Sequence, residues 1–105
     1  MQKEEIIKKI KEIIAEFGGF GVGEVETDCS PCVGSLGNMI SLAEDFNLNG
    51  VDVNVYNPSG FSSDPIDDYT LTYEELDRDV LVEILLLCDK FRNKTYEEQQ
   101  LEENE

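Results

Sequence analysis

The stretch TYEELDRDVLVEILLLCDKF, residues Thr72 to Phe91, decides how the rest of the chain reads. Thr72 and Glu75 have the Thr-x-x-Glu spacing of a capping box, in which side chains satisfy first-turn amides that a helix start leaves without partners. Glu74, Glu75, Asp77 and Asp79 precede the apolar run, and Lys90, Arg92 and Lys94 follow it, so both ends suit a helix dipole. Leu76, Val80, Ile84, Leu87 and Phe91 recur at helical spacing, with Leu81, Leu85 and Cys88 beside them. The stretch predicts a helix over 72–92. Its apolar surface is wider than one-sided burial on a sheet requires, so another helix or a second chain is expected to cover the remainder, Val82 and Leu86 above all.

Working outward, Ile6, Ile10, Ile13 and Phe17, flanked by Ile7 and Ile14, predict an amphipathic helix over 3–17, which Gly18-Gly19 ends. Residues 20–27 read as an edge strand weakened by glycine, and residues 28–38, DCSPCVGSLGN, as a loop. Residues 39–46 fit a helix or a strand, and the Asn47-Leu48-Asn49-Gly50 connection to VDVNVY favours a hairpin with strands at 39–46 and 51–56. Val51, Val53 and Val55 share one face of the second strand, and Asp52, Asn54 and Tyr56 the other. Asn57-Pro58-Ser59-Gly60 turns the chain, a loop follows over 62–68, and Tyr69 to Leu71 offer a short strand. The fold expected is α+β, in the order α-β-β-β-(β)-α, with two helices on one face of a three- to four-stranded antiparallel sheet. Residues 1–93 form a single domain on this reading, and 94–105 an acidic tail expected to be disordered.

With 105 residues and 40% apolar content, the chain can bury one modest core. Its formal net charge is −16, from 24 acidic and 8 basic residues, and the distribution is uneven: Glu12 through Asp77 hold 14 Asp and Glu and no Lys or Arg. Nucleic-acid binding draws on a basic surface that releases counterions, and anionic membranes attract cations, so neither partner is expected. No apolar run approaches membrane-spanning length. Three cysteines, an odd number, fit a reducing compartment, and a cytoplasmic location is expected.

Cys29-Ser30-Pro31-Cys32 resembles the active-site motif of thioredoxin-like oxidoreductases, and the resemblance covers little beyond those four residues. It implies Cys29 as the attacking thiol and Cys32 as the resolving one. Glu26 and Asp28 beside the pair would raise a thiol pKa, and Gly34 and Gly37 interrupt the segment in which the family has a helix. The redox pair therefore stands as the alternative reading, next to a loop holding two small cysteines. Cys29, Cys32 and Cys88, in a chain without histidine, do not complete a four-ligand zinc site, so no metal is expected. Asp45-Phe46-Asn47-Leu48-Asn49-Gly50 matches the opening of a calcium loop, but Tyr56 occupies the twelfth position, where the bidentate glutamate belongs; a hairpin turn explains the same residues. No catalytic set and no cofactor is expected. The functional expectation is a non-enzymatic protein-interaction module that receives a basic protein on Asp64, Asp67, Asp68, Glu74, Glu75, Asp77 and Asp79, where the acidic residues are densest, although such charge would also serve solubility alone. A homodimer through 72–92 is the second partner expected.

Overall fold

The computed structural model describes residues 2–25, 31–37, 39–57 and 65–103. They form an α+β fold: helix α1 (Lys3–Phe17), a five-stranded antiparallel sheet and helix α2 (Arg78–Glu103). The strands are β1 (Phe20–Gly21), β2 (Cys32–Leu36), β3 (Met39–Phe46), β4 (Val51–Tyr56) and β5 (Asp67–Leu71). β3 is the hub: β1 and β2 pair with successive parts of one side, β4 with the other, and β5 closes the far edge against β4.

The central hairpin follows the alternation of its residues. Val51, Val53 and Val55 are buried and alternate with half-buried Asp52, Asn54 and Tyr56. On β3, Ser41 and Ala43 face the core opposite Val55 and Val53; strict alternation would then send Phe46 outward. A bulge between Ala43 and Asp45 shifts the parity, and Phe46 pairs with Val51 on the buried face. The turn is closed by Asn47, whose Oδ1 accepts from the N–H groups of Asn49 (3.0 Å) and Gly50 (3.1 Å), while its own N–H donates to the Gly50 carbonyl (3.0 Å). That local bonding accounts for the residues that begin like a calcium loop.

The helices cover the face bearing Ala43, Phe46 and the three valines. Ile6, Ile10, Ile13 and Ile14 of α1 and Leu81, Ile84 and Cys88 of α2 join Ala43, Phe46, Val51 and Val53 in one core. A chain of aromatic contacts ties the layers together: Phe20 stacks on Phe46 (4.8 Å) and on Phe91 (4.6 Å), and Phe17 meets Phe91 edge-on at 5.4 Å. Tyr73, fully buried, donates its hydroxyl hydrogen to the Asn47 carbonyl at 2.7 Å, which joins the segment before α2 to the β3–β4 turn.

Five boundaries differ from the sequence expectations, the smallest being that β5 begins at Asp67, two residues before the strand expected from Tyr69, because Asp67 and Asp68 pair with Val55 and Asn54. The capping box is formed, with the Thr72 N–H donating to Glu75 Oε2 at 2.8 Å, but it caps a single 3-10 turn, Tyr73–Glu75. α2 begins at Arg78, after Leu76 has turned into the core in an extended conformation. Residues 94–103, expected to be disordered, continue α2. Lys94 Nζ donates to the Glu24 carbonyl (2.9 Å), Tyr96 rests against Phe17 (5.8 Å) and its hydroxyl bonds Glu16, so this extension is anchored on its neighbours. Of the strand expected over 20–27, only Phe20 and Gly21 pair. The Gly21 N–H donates to Glu24 Oε2 (2.6 Å), and the chain curls into a 3-10 turn that buries Val22 and Val25, three apart, on one side. Residues 26 and 27 lie outside the described residues. Finally, Cys32–Leu36, expected within a loop, pair with β3: the Ala43 N–H donates to the Pro31 carbonyl (2.9 Å), a bulge between Cys32 and Gly34 absorbs the irregular register, and Gly37, at φ 62°, opens a two-residue connection to β3.

Candidate interaction surface

Because both helices lie on one side of the sheet, its opposite face is left without a covering helix or strand among the described residues. Register defines what that face carries. Ile40 stands opposite Tyr56, Leu42 opposite Asn54, and Asp45 opposite Asp52; Cys32 pairs with Leu42 from β2, and Asp68 and Thr70 pair with Asn54 and Asp52 from β5. The surface has an apolar end, made by Ile40, Leu42 and Tyr56, and an acidic end, made by Glu44, Asp45 and Asp52. Ile40, Leu42 and Tyr56 are half-buried.

Two hydrogen bonds order this face. Tyr56 donates to Glu44 Oε1 at 3.1 Å, so its ring runs along the sheet toward the acidic end, and Thr70 donates to Asp52 Oδ1 at 2.9 Å. Burial and then the Glu44 carboxylate raise the Tyr56 phenol above its ordinary pKa. Asp45 facing Asp52 is a like-charge cross-strand pair, an arrangement that destabilises a sheet unless a cation lies near. None lies in the strands. All eight Lys and Arg are on the helices, four on α1 and four on α2, whereas residues 18–77 carry twelve Asp and Glu and no basic residue.

The acidic residues singled out from sequence are dispersed. Asp67 and Asp68 lie on the exposed edge strand β5, and Asp77 and Asp79 are exposed at the start of α2. Glu74 pairs with Lys11 of α1 at 3.1 Å; a hydrogen bond from its own backbone N–H, and then Lys11, hold its carboxyl below the ordinary range. Glu75 is engaged by Thr72. Asp64 lies outside the described residues. Of the six that are described, only Asp68 belongs to the open face. Alternation sets Asp52 and Tyr56 apart from the buried valines, but Leu42, Glu44 and Asp45 join them only through strand pairing, on the side that no described helix covers.

Of the alternative redox pair, Cys29 lies outside the described residues, and Cys32 is exposed at the start of β2, its thiol donating to the Gly34 carbonyl at 3.4 Å. Cys88 is buried in the core, where burial, and then Asp89, push its thiol up to about 12. Among the described residues no three Cys, Asp or Glu converge as a metal site, and no helix is long and apolar enough to cross a membrane. Comparison with protein-family models, with curated proteins and with solved structures finds no match for this chain.

Proposed function

We propose that the chain is a non-enzymatic binding module of the cytoplasm whose open sheet face receives a basic protein. The observation that carries this reading is the segregation of charge: every cation sits on the helices, and the sheet presents Glu44, Asp45, Asp52 and Asp68 with no cation of its own. A partner bringing Lys or Arg to this face relieves the Asp45–Asp52 repulsion, and the negative field speeds its approach. This moves the surface expected from sequence onto the sheet, with Asp68 as the shared residue. A homodimer through α2 has less support, because Val82 packs against the core and leaves Leu86, 60% exposed, without its companion.

The test is binding of a fluorescent oligo-arginine peptide at low ionic strength. Asp45→Asn with Asp52→Asn should weaken binding several-fold more than Glu83→Gln with Glu97→Gln, a change of equal charge on α2. Equal losses from both pairs would mean that net charge alone attracts the peptide, and would overturn the reading.

A further inference from the structure

Charge on the open face is uneven: Glu44, Asp45 and Asp52 gather at one end, and Asp68 lies level with Asn54 and Leu42 on the β5 edge. β3 and β4 spend their backbone groups on neighbouring strands, so this face offers side chains alone; a partner strand would have to join an edge of the sheet instead, at β5 or at β1 and β2. The two-layer arrangement shows what covers a sheet of this kind, since its other face is filled by helices whose apolar stripes lie on alternate strand residues. Ile40, Leu42 and Tyr56 supply a counterpart to such a stripe, contiguous through the Ile40–Tyr56 pair and through the Tyr56 ring that Glu44 draws along the sheet.

Resting on the reading of this face as the binding surface, we infer that its partner is a basic amphipathic helix that seats apolar residues on Ile40, Leu42 and Tyr56 and carries its cations over Glu44, Asp45 and Asp52. Spacing supports this occupant. Ile40 and Glu44 are four residues apart on one strand, about 13 Å at the usual rise, and a helix covers that distance in about nine residues, or somewhat more than two turns. A small cation cannot reach both ends at once. An extended polycation can neutralise the acidic end, but it gains nothing from the apolar one.

The probes are three peptides of equal length and charge: an amphipathic Lys/Leu helix, a scrambled sequence of the same composition, and a Lys/Ser peptide without apolar residues. Affinities are measured by titration calorimetry on the full chain. The amphipathic helix should bind about tenfold more tightly than the Lys/Ser peptide, a ratio equivalent to about 1.4 kcal/mol. Tyr56→Ala and Leu42→Ser, each checked for native circular dichroism, should remove that margin and leave Lys/Ser binding unchanged, whereas Leu86→Ser, at an exposed apolar position on α2, should leave it intact. If all three peptides bind equally, or if Leu86→Ser abolishes the margin, the helical partner is wrong while the acidic surface stands. If none binds, the acidic surface fails as well.

Discussion

Gly50 illustrates how closely the turn and the segment before α2 are fitted. A Cβ built there would stand 2.1 Å from the Leu71 carbonyl oxygen and 3.1 Å from the Thr72 Cα, backbone atoms that cannot swing aside. Gly50→Ala should therefore cost about 1–3 kcal/mol or more, as overpacking does, read as a lower denaturant midpoint with an unchanged slope. Sequence marks Gly50 as a turn residue. The approach of β5, which makes it irreplaceable, comes from a segment some twenty positions away. Cys88 gives a second prediction. Its thiol is raised from 9.0 to about 12 by burial, so the folded chain holds this proton more tightly than the unfolded one. The stability contributed is complete below about pH 9 and is lost as pH rises toward 12. Tyr73, also raised by burial, adds its own loss above its ordinary 10. Denaturant midpoints should begin to fall near pH 9 in the wild type, and the decline in Cys88→Ala should start later, where the raised phenols of Tyr73, Tyr56 and Tyr96 titrate. An identical pH onset in both would contradict the assignment.

At the scale of elements, α2 combines three environments in one continuous helix. Leu81 and Ile84 are fully buried, Leu85 is half-buried and Leu86 exposed. Leu81→Ala should cost about 2–5 kcal/mol through the cavity it opens. Leu86→Ala should stay within about 0.5 kcal/mol. Beyond Phe91 the helix is held by few contacts, and they define a boundary: deletion of 97–105 should leave stability nearly unchanged, whereas deletion from Lys94 removes the Tyr96–Phe17 contact and the Lys94 bond to Glu24, and should lower it by about 1–2 kcal/mol. Apolar periodicity makes α1 and the buried half of α2 legible, and alternation does the same for the β3–β4 hairpin. The extension of α2 is polar and shows no such period; its order comes from tertiary contacts to Phe17, Glu16 and Glu24, which no local pattern signals. The 3-10 turn at Val22–Val25 is an intermediate case, since two valines three apart carry the signal of a turn, while the surrounding glycines suit a weak strand equally well.

For the molecule as a whole, the arrangement of charge matters more than its total. Cations gathered on the helix layer and their absence from the sheet separate the two faces electrostatically. That the middle of the chain lacks Lys and Arg is visible in the sequence. Which of its carboxylates share a surface is not, because strand pairing brings Asp45 to Asp52 and Asp68 to Asn54, while Glu74 and Glu75, within the densest acidic run, are taken by Lys11 and Thr72. A sheet bearing unneutralised carboxylates is also strained by its own field, so the melting temperature should rise as sodium chloride is raised from about 0.01 to 0.3 M, over which the screening length falls from about 30 Å to less than 8 Å. The most direct test of the central claim is an amide chemical-shift map of the isotope-labelled chain titrated with a Lys-rich peptide at low salt. Shifts are expected to concentrate at Ile40, Leu42, Glu44, Asp45, Asp52, Asn54, Tyr56 and Asp68 and to be reversed by added salt. Shifts confined to Asp77, Asp79 and the far end of α2, with the sheet silent, would contradict that claim.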